Sequence, residues 1–98
     1  MWKIFDRKPQ EKQLVTKGRF EIEENGEIAY LEYTLSGHVL ALIHTEVPEQ
    51  LRHHGLGFAL AEHALKWAKE NNMRVDIVCP VAEEYLAKHP EYSDLVLR

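Results

Sequence analysis

The segment Arg52-His53-His54-Gly55-Leu56-Gly57 places one arginine, two histidines and two glycines directly before a long amphipathic pattern. Those residue types at that spacing suit anion chemistry. The first turn of a helix exposes unpaired N–H groups and carries partial positive charge, which favours phosphate oxygens. Glycines let a phosphate approach the backbone with no Cβ in the way, at an entropic cost that a plain helix start does not require. Arg52 adds a charge-assisted contact at the mouth of the loop. A diphosphate held mainly by backbone donors does not need a basic protein, and the formal net charge is −4. The competing reading is a helix start whose glycines only relieve crowding.

Other chemistries fit less well. A P-loop ends in Gly-Lys-Ser/Thr, which is missing here, and the dinucleotide fingerprint needs three glycines within a parallel unit. His53, His54 and His63 follow no zinc-ligand spacing, so no metal is expected. Duplex binding calls for a basic stripe, and the basic residues are scattered, so no nucleic acid is expected. No apolar run approaches the ~20 residues of a membrane span. The start, Met1 to Gln13, lacks a signal peptide's apolar centre, and Cys79 is the single cysteine. Both point to a cytoplasmic protein.

The elements that must position this loop follow from periodicity. At 98 residues the chain is read as one domain over 1–98. Residues 1–13 are polar and expected to be partly disordered, with Trp2, Ile4 and Phe5 available to dock on the body. From Arg19 the pattern alternates, with Phe20 and Ile22 on one face. Asn25-Gly26 is a strong hairpin signal. The next strand has Ile28 and Tyr30 on one side and Ala29, Leu31 and Tyr33 on the other. A second turn at Ser36-Gly37 leads to a strand whose Val39–Ile43 run is continuously apolar, as expected of a strand buried on both faces. Leu60, Ala61, Ala64, Leu65 and Ala68 then form a helical stripe, ended by Asn71-Asn72. Val75–Cys79 reads as a buried strand, parallel to the previous one through a right-handed crossover. Pro80 opens a short helix stopped by Pro90. The fold class is α+β: an antiparallel meander, then a parallel crossover strand, in a twisted mixed sheet with helices packed on it.

Arg-x-x-Gly-x-Gly after a buried strand that ends a meander resembles the pyrophosphate-binding signature of the GNAT superfamily of acetyl-CoA-dependent N-acetyltransferases. The resemblance runs over about residues 19–92. It includes the His-Thr-x-Val stretch from His44, Cys79-Pro80 after the next strand, and His-Pro-Glu-Tyr from His89, and looks like a short, roughly hundred-residue branch. It implies a GNAT-like sheet in which the central strand and the parallel strand splay apart. The pantetheine arm would lie between Ala41–Val47 and Val75–Cys79. The pyrophosphate would meet the backbone of Arg52, His53, His54, Gly55, Leu56 and Gly57, with Val47 also in the cofactor site. Unpaired amides on the central strand would polarise the thioester carbonyl.

Transfer of an acetyl group to an amine needs a base near the acetyl end. His44 and Glu46 stand at the end of the central strand, two apart and on one face, with Thr45 on the other. Histidine is a residue type suited to that work, and His44 serves either as that base or as a hydrogen-bonded anchor of the loop. Glu46 is equally readable as a solvated strand-end charge. Many members of the superfamily place a tyrosine on the short helix to protonate the departing thiolate. Tyr85 in Ala-Glu-Glu-Tyr-Leu-Ala-Lys matches that place, and a core aromatic is the alternative. Cys79 is a candidate acetyl acceptor, although no Lys or Arg adjoins it in sequence, which favours a small buried hydrophobe. The acceptor groove lacks the helices that larger relatives insert after the first strand. It suits a protein or peptide amine, a polyamine, or a partner subunit, and the sequence does not choose. Two further readings stand beside the enzyme: a CoA-binding module with little catalysis, and an interaction domain without ligand.

Overall fold

The computed structural model describes residues 3–7 and 15–97. The expectations for Trp2 and for partial disorder over most of residues 1–13 lie outside the described residues. Ile4 and Phe5 lie within them, on β1 (Ile4–Arg7). The remaining elements are β2 (Val15–Glu24), β3 (Glu27–Ser36), β4 (Val39–Glu46), α1 (Leu56–Glu70), β5 (Arg74–Ile77) and α2 (Pro80–Lys88). The strands form one sheet in the order β1-β2-β3-β4-β5. The first four are antiparallel neighbours, and β5 joins β4 in parallel after the α1 crossover. This is the mixed α+β architecture expected from the sequence.

Local chemistry sets most of these boundaries. Asn25 (φ 54°) and Gly26 (φ 79°) make the β2–β3 turn with both residues left-handed, as a two-residue hairpin of this twist requires. The second turn falls on Gly37-His38 rather than Ser36-Gly37, because Ser36 still pairs with Val39. β2 begins at Val15, earlier than Arg19, since Thr16, Lys17 and Gly18 pair with Leu35, Thr34 and Tyr33. α1 is capped at Asn71, and Asn72 takes a left-handed φ of 56°. β5 stops at Ile77, two residues short of the expected Cys79, as the chain turns into Pro80. A 3-10 segment, Pro90–Leu95, follows α2, and Val96 makes a parallel bridge to Val75 on the outer edge of β5.

The core lies on one face of the sheet. Phe20, Ile22, Ala29, Leu31, Tyr33, Leu40, Leu42 and Val75 pack there in one cluster with the inner residues of α1 and α2. The expected stripe of α1 is buried as a set, and Leu56 joins it. One expectation fails. The Val39–Ile43 run is not buried on both faces: Leu40 and Leu42 are fully buried, whereas Ile43 is 39% exposed. The physical reason is that both helices join a single core on one side, which leaves the other side of β4 open.

One hydrogen bond ties the N-terminal strand to this core, and ring contacts beside it join β2 to β3 and α1. Tyr33 donates its phenol hydrogen to Asp6 on β1, across the intervening β2. The Phe20 ring packs against Tyr33 at 4.6 Å and edge-on to His63 of α1 at 5.0 Å. Burial lowers the His63 pKa from 6.5, with Asp6 and Glu70 opposing in part. The unfolded chain therefore takes up the His63 proton first as pH falls. Its contribution to stability is present above about pH 6.5 and shrinks as pH drops through that value toward the lower folded pKa. Denaturant melts should show His63→Gln flattening this part of the stability profile. Leu65→Ala, at a fully buried position, should cost roughly 2–5 kcal/mol in the same measurement.

Candidate functional site

β4 outruns its parallel neighbour. Four pairs, Val39↔Arg74 to Leu42↔Ile77, join β4 to β5. The Leu42 carbonyl then accepts two amides, from Val78 at 2.9 Å and from Cys79 at 3.0 Å. There the ladder ends. Beyond it, His44, Thr45 and Glu46 pair with Glu32, Leu31 and Tyr30 of β3 on one edge, and no described strand pairs with the other. A free strand edge presents N–H and C=O groups ready to bind an extended ligand.

A bulge at this point decides which way the side chains aim. The register passes from Tyr33↔Leu42 to Glu32↔His44, so Ile43 is the extra residue. Without it, alternation from Leu40 and Leu42 would carry position 44 into the core. With it, His44 and Glu46 stand on the open face, and Thr45 turns to the helix side. There its hydroxyl lies 3.4 Å from the Cys79 sulfur. Thr45 is the site residue that sequence reasoning missed as a chemical group. Its signal lay in the His-Thr-x-Val stretch, but only the fold brings it to Cys79.

The start of α1 borders the same gap. Gly55 is the N-cap, with φ 80° and no side-chain cap, and the first turn holds no acidic residue. The first intrahelical donor is Ala59, bonded to Gly55 O at 3.0 Å. The amides of Leu56, Gly57 and Phe58 precede it, as the orphan donors of a helix start do. Leu56 is 1% exposed, so it offers only its backbone. The two glycines have different causes. A Cβ on Gly55 would meet nothing within 4 Å, so its left-handed φ is what calls for glycine. A Cβ on Gly57 would stand 3.1 Å from Val81 Cγ1, 3.9 Å from Thr45 Cγ2 and 4.0 Å from Val47 Cγ2. That is close approach, toward the end of β4 and the start of α2. The crowding alternative thus describes Gly57 and not Gly55.

Side chains fill in the remaining geometry. Arg52 turns back on β4: its Nε donates to the Val47 carbonyl at 3.1 Å, and Nη2 lies 4.0 Å from Glu46 Oε2. The other Glu46 oxygen lies 3.5 Å from His44 Nε2. His44, Glu46 and Arg52 therefore form one half-exposed chain of groups at the strand end. His53 holds a left-handed φ of 69°, and both it and His54 are exposed. Cys79 is 1% exposed at the N-cap of α2. Tyr85 sits in an aromatic cluster against the first turn of α1, edge-on to Phe58 at 5.5 Å and stacked on His89 at 4.1 Å. Burial, then Glu62, Tyr92 and Glu91, raise its pKa to about 12, which keeps the phenol protonated as a donor. Among the described residues no group of three or more His, Cys, Asp or Glu could hold a metal ion. No helix among them is long and apolar enough to cross a membrane.

The two glycine roles predict different costs in equilibrium unfolding. Gly55→Ala should lose roughly 1–2 kcal/mol from the left-handed backbone alone. Gly55→Asn should recover part of it, because asparagine tolerates that region. Gly57→Ala should cost less than about 1 kcal/mol, since the flexible Val81 side chain can give way.

Residues 19–95 match the family model described as GCN5-related N-acetyl-transferase. The fold is similar to the NMR solution structure of a GCN5-like protein from Staphylococcus aureus, with 25% sequence identity and a TM-score of 0.63. That similarity covers 98% of this chain and 88% of the other. No curated protein matches the chain. With the family model spanning most of its length and a splayed β4 beside an uncapped helix start, the chain belongs to the GCN5-related N-acetyltransferase (GNAT) superfamily.

Proposed function

We propose that this chain is a single minimal, cytoplasmic N-acetyltransferase domain that uses acetyl-CoA as donor. The observation that carries the proposal is the pairing of two backbone features: the free edge of β4 after Leu42 and the uncapped first turn of α1, which meet at Thr45, Val47, Gly57 and Val81. A long ligand with an anionic middle and an amide-bearing arm satisfies both. The diphosphate takes the donors of the loop and first turn, with His53 and His54 at its rim. The arm takes the hydrogen bonds that β5 leaves unmade.

The acetyl end then lies near the residues at the end of β4. In the reaction the amine nitrogen bonds to the thioester carbon and the carbon–sulfur bond breaks. The amine proton passes to the His44–Glu46 pair, and the CoA thiolate is protonated. Glu46, held 3.5 Å from His44 Nε2, favours the imidazolium that forms. β4 amides aimed at the thioester oxygen stabilise the charge that develops on it. Tyr85 carries the proton needed by the leaving thiolate. Direct transfer is the route proposed, because the Cys79 sulfur is buried and already contacts Thr45.

Calorimetric titration with acetyl-CoA tests the binding half. Micromolar affinity is expected, abolished in Gly57→Glu with the far-ultraviolet spectrum unchanged, and retained affinity would refute the loop assignment. For catalysis, His44→Ala and Glu46→Gln should each lower kcat by about 10²-fold or more while acetyl-CoA affinity stays the same. Cys79→Ala should keep most of the turnover. Its loss, with acetyl-CoA still bound, would replace direct transfer with an acetyl-cysteine intermediate.

A further inference from the structure

His44 stands exposed on a strand with one free edge, where an unsupported imidazole would sample several rotamers. Register decides what borders it. The Ile43 bulge moves His44 onto the open face, opposite Glu32 of β3 and in the row next to the Tyr30↔Glu46 pair. The Tyr30 ring lies 6.2 Å from the imidazole at 59°, within the range of a tilted aromatic contact. Tyr30 is also the direct cross-strand partner of Glu46, so one ring borders both members of the His44–Glu46 pair.

Tyr30 is itself held. The Arg19 guanidinium lies 4.3 Å over its ring, close enough for a cation–π contact that suits the planar group of arginine. Arg19 is fixed in turn on Glu21, whose Oε2 accepts from Nε at 3.1 Å and from Nη2 at 2.7 Å. Glu21 is 6% exposed, and a carboxylate buried to that extent needs such a partner. This buried, charge-assisted pair is the stiff end of the chain of contacts. Support thus runs across three strands, from Glu21 and Arg19 on β2 through Tyr30 on β3 to His44 and Glu46 on β4. Arg52 closes the far side against Glu46.

We propose that Tyr30 is a positioning residue for the His44–Glu46 pair, clamped in place by Arg19. The ring limits His44 to the rotamer that keeps Nε2 3.5 Å from Glu46 Oε1. It takes no part in proton transfer itself. The contact is made by the ring, so the hydroxyl is dispensable. A base held in place beforehand loses less freedom when the amine arrives. This rests on the acetyl-transfer reading above and adds to that site a residue from the neighbouring strand.

Magnetic-resonance couplings across the His44 Cα–Cβ bond test the positioning directly. Wild type and Tyr30→Phe should show one χ1 rotamer, with the imidazole protons shifted by the neighbouring ring current. Tyr30→Leu, which keeps an apolar side chain on the strand, should average the rotamers and lose the shift. Arg19→Lys keeps the charge beside Glu21 without the planar contact, and should fall between them. Acetyl-CoA affinity by calorimetry should be the same throughout. CoA release is then followed at saturating acetyl-CoA, with spermidine and a lysine peptide together as probe amines. Tyr30→Leu should lower kcat about tenfold, and Tyr30→Phe should keep most of the rate. In a His44→Ala background Tyr30→Leu should have no further effect, since the ring acts through that imidazole. Averaged His44 couplings in the wild type, unchanged couplings in Tyr30→Leu, or an additive loss beside His44→Ala would each overturn the proposal while acetyl-CoA binding stands. Folded wild-type protein that binds no acetyl-CoA, with a single His44 rotamer, would instead remove the acetyl-transfer reading beneath it.

Discussion

One carbonyl group governs the layout of this protein. Leu42 O accepts from both Val78 and Cys79, and there the parallel ladder ends, before Pro80, which has no N–H to donate. Every backbone polar group in a sheet needs a partner. Ending the ladder midway along β4 leaves a row of groups that water or an extended ligand must satisfy. The Ile43 bulge on the opposite edge of β4 works with this. The ladder's end opens the strand, and the bulge turns its side chains so that His44 and Glu46 face outward while Thr45 faces Cys79. Neither feature alone makes a site.

The helix start is arranged around the same break. α1 must cross from the end of β4 to the start of β5, and its first turn consequently lies beside the opened edge. Gly55 enters the helix through a left-handed backbone, and Gly57 lets that first turn close on Val47 and Val81. Arg52 braces the connection by bonding the Val47 carbonyl. Its guanidinium therefore serves the strand end as much as any anion. The charge at this corner balances locally, with Glu46 between Arg52 and His44.

A domain of this size covers only one side of its sheet. The aromatic cluster of Phe58, Tyr85, His89 and Tyr92 closes the helix side. Asp6 and Tyr33 tie β1 in across β2. The opposite side keeps Phe5, Ile28 and Ile43 exposed. What leaves half the sheet unpacked also leaves the strand-end residues His44 and Glu46 exposed.

Much of this was legible in the sequence because it depends on short-range patterns. The Asn25-Gly26 turn, the α1 stripe from Leu60 to Ala68, its stop at Asn71-Asn72, the parallel crossover and the Pro80 helix start all follow from periodicity and local backbone preference. So did the family, through Arg52, Gly55, Gly57 and their neighbours. The sequence also determined that His44 and Glu46 share a face. It did not determine which face, because a bulge is a property of two strands in register and leaves no mark in one of them. The Val39–Ile43 run read as doubly buried for a related reason: hydrophobicity records what a strand tolerates, and only packing decides what covers it. β1, the Val96 bridge, the Thr45–Cys79 contact and the distinct causes of the two glycines likewise depend on residues far apart in the chain, and those were settled by the tertiary structure alone.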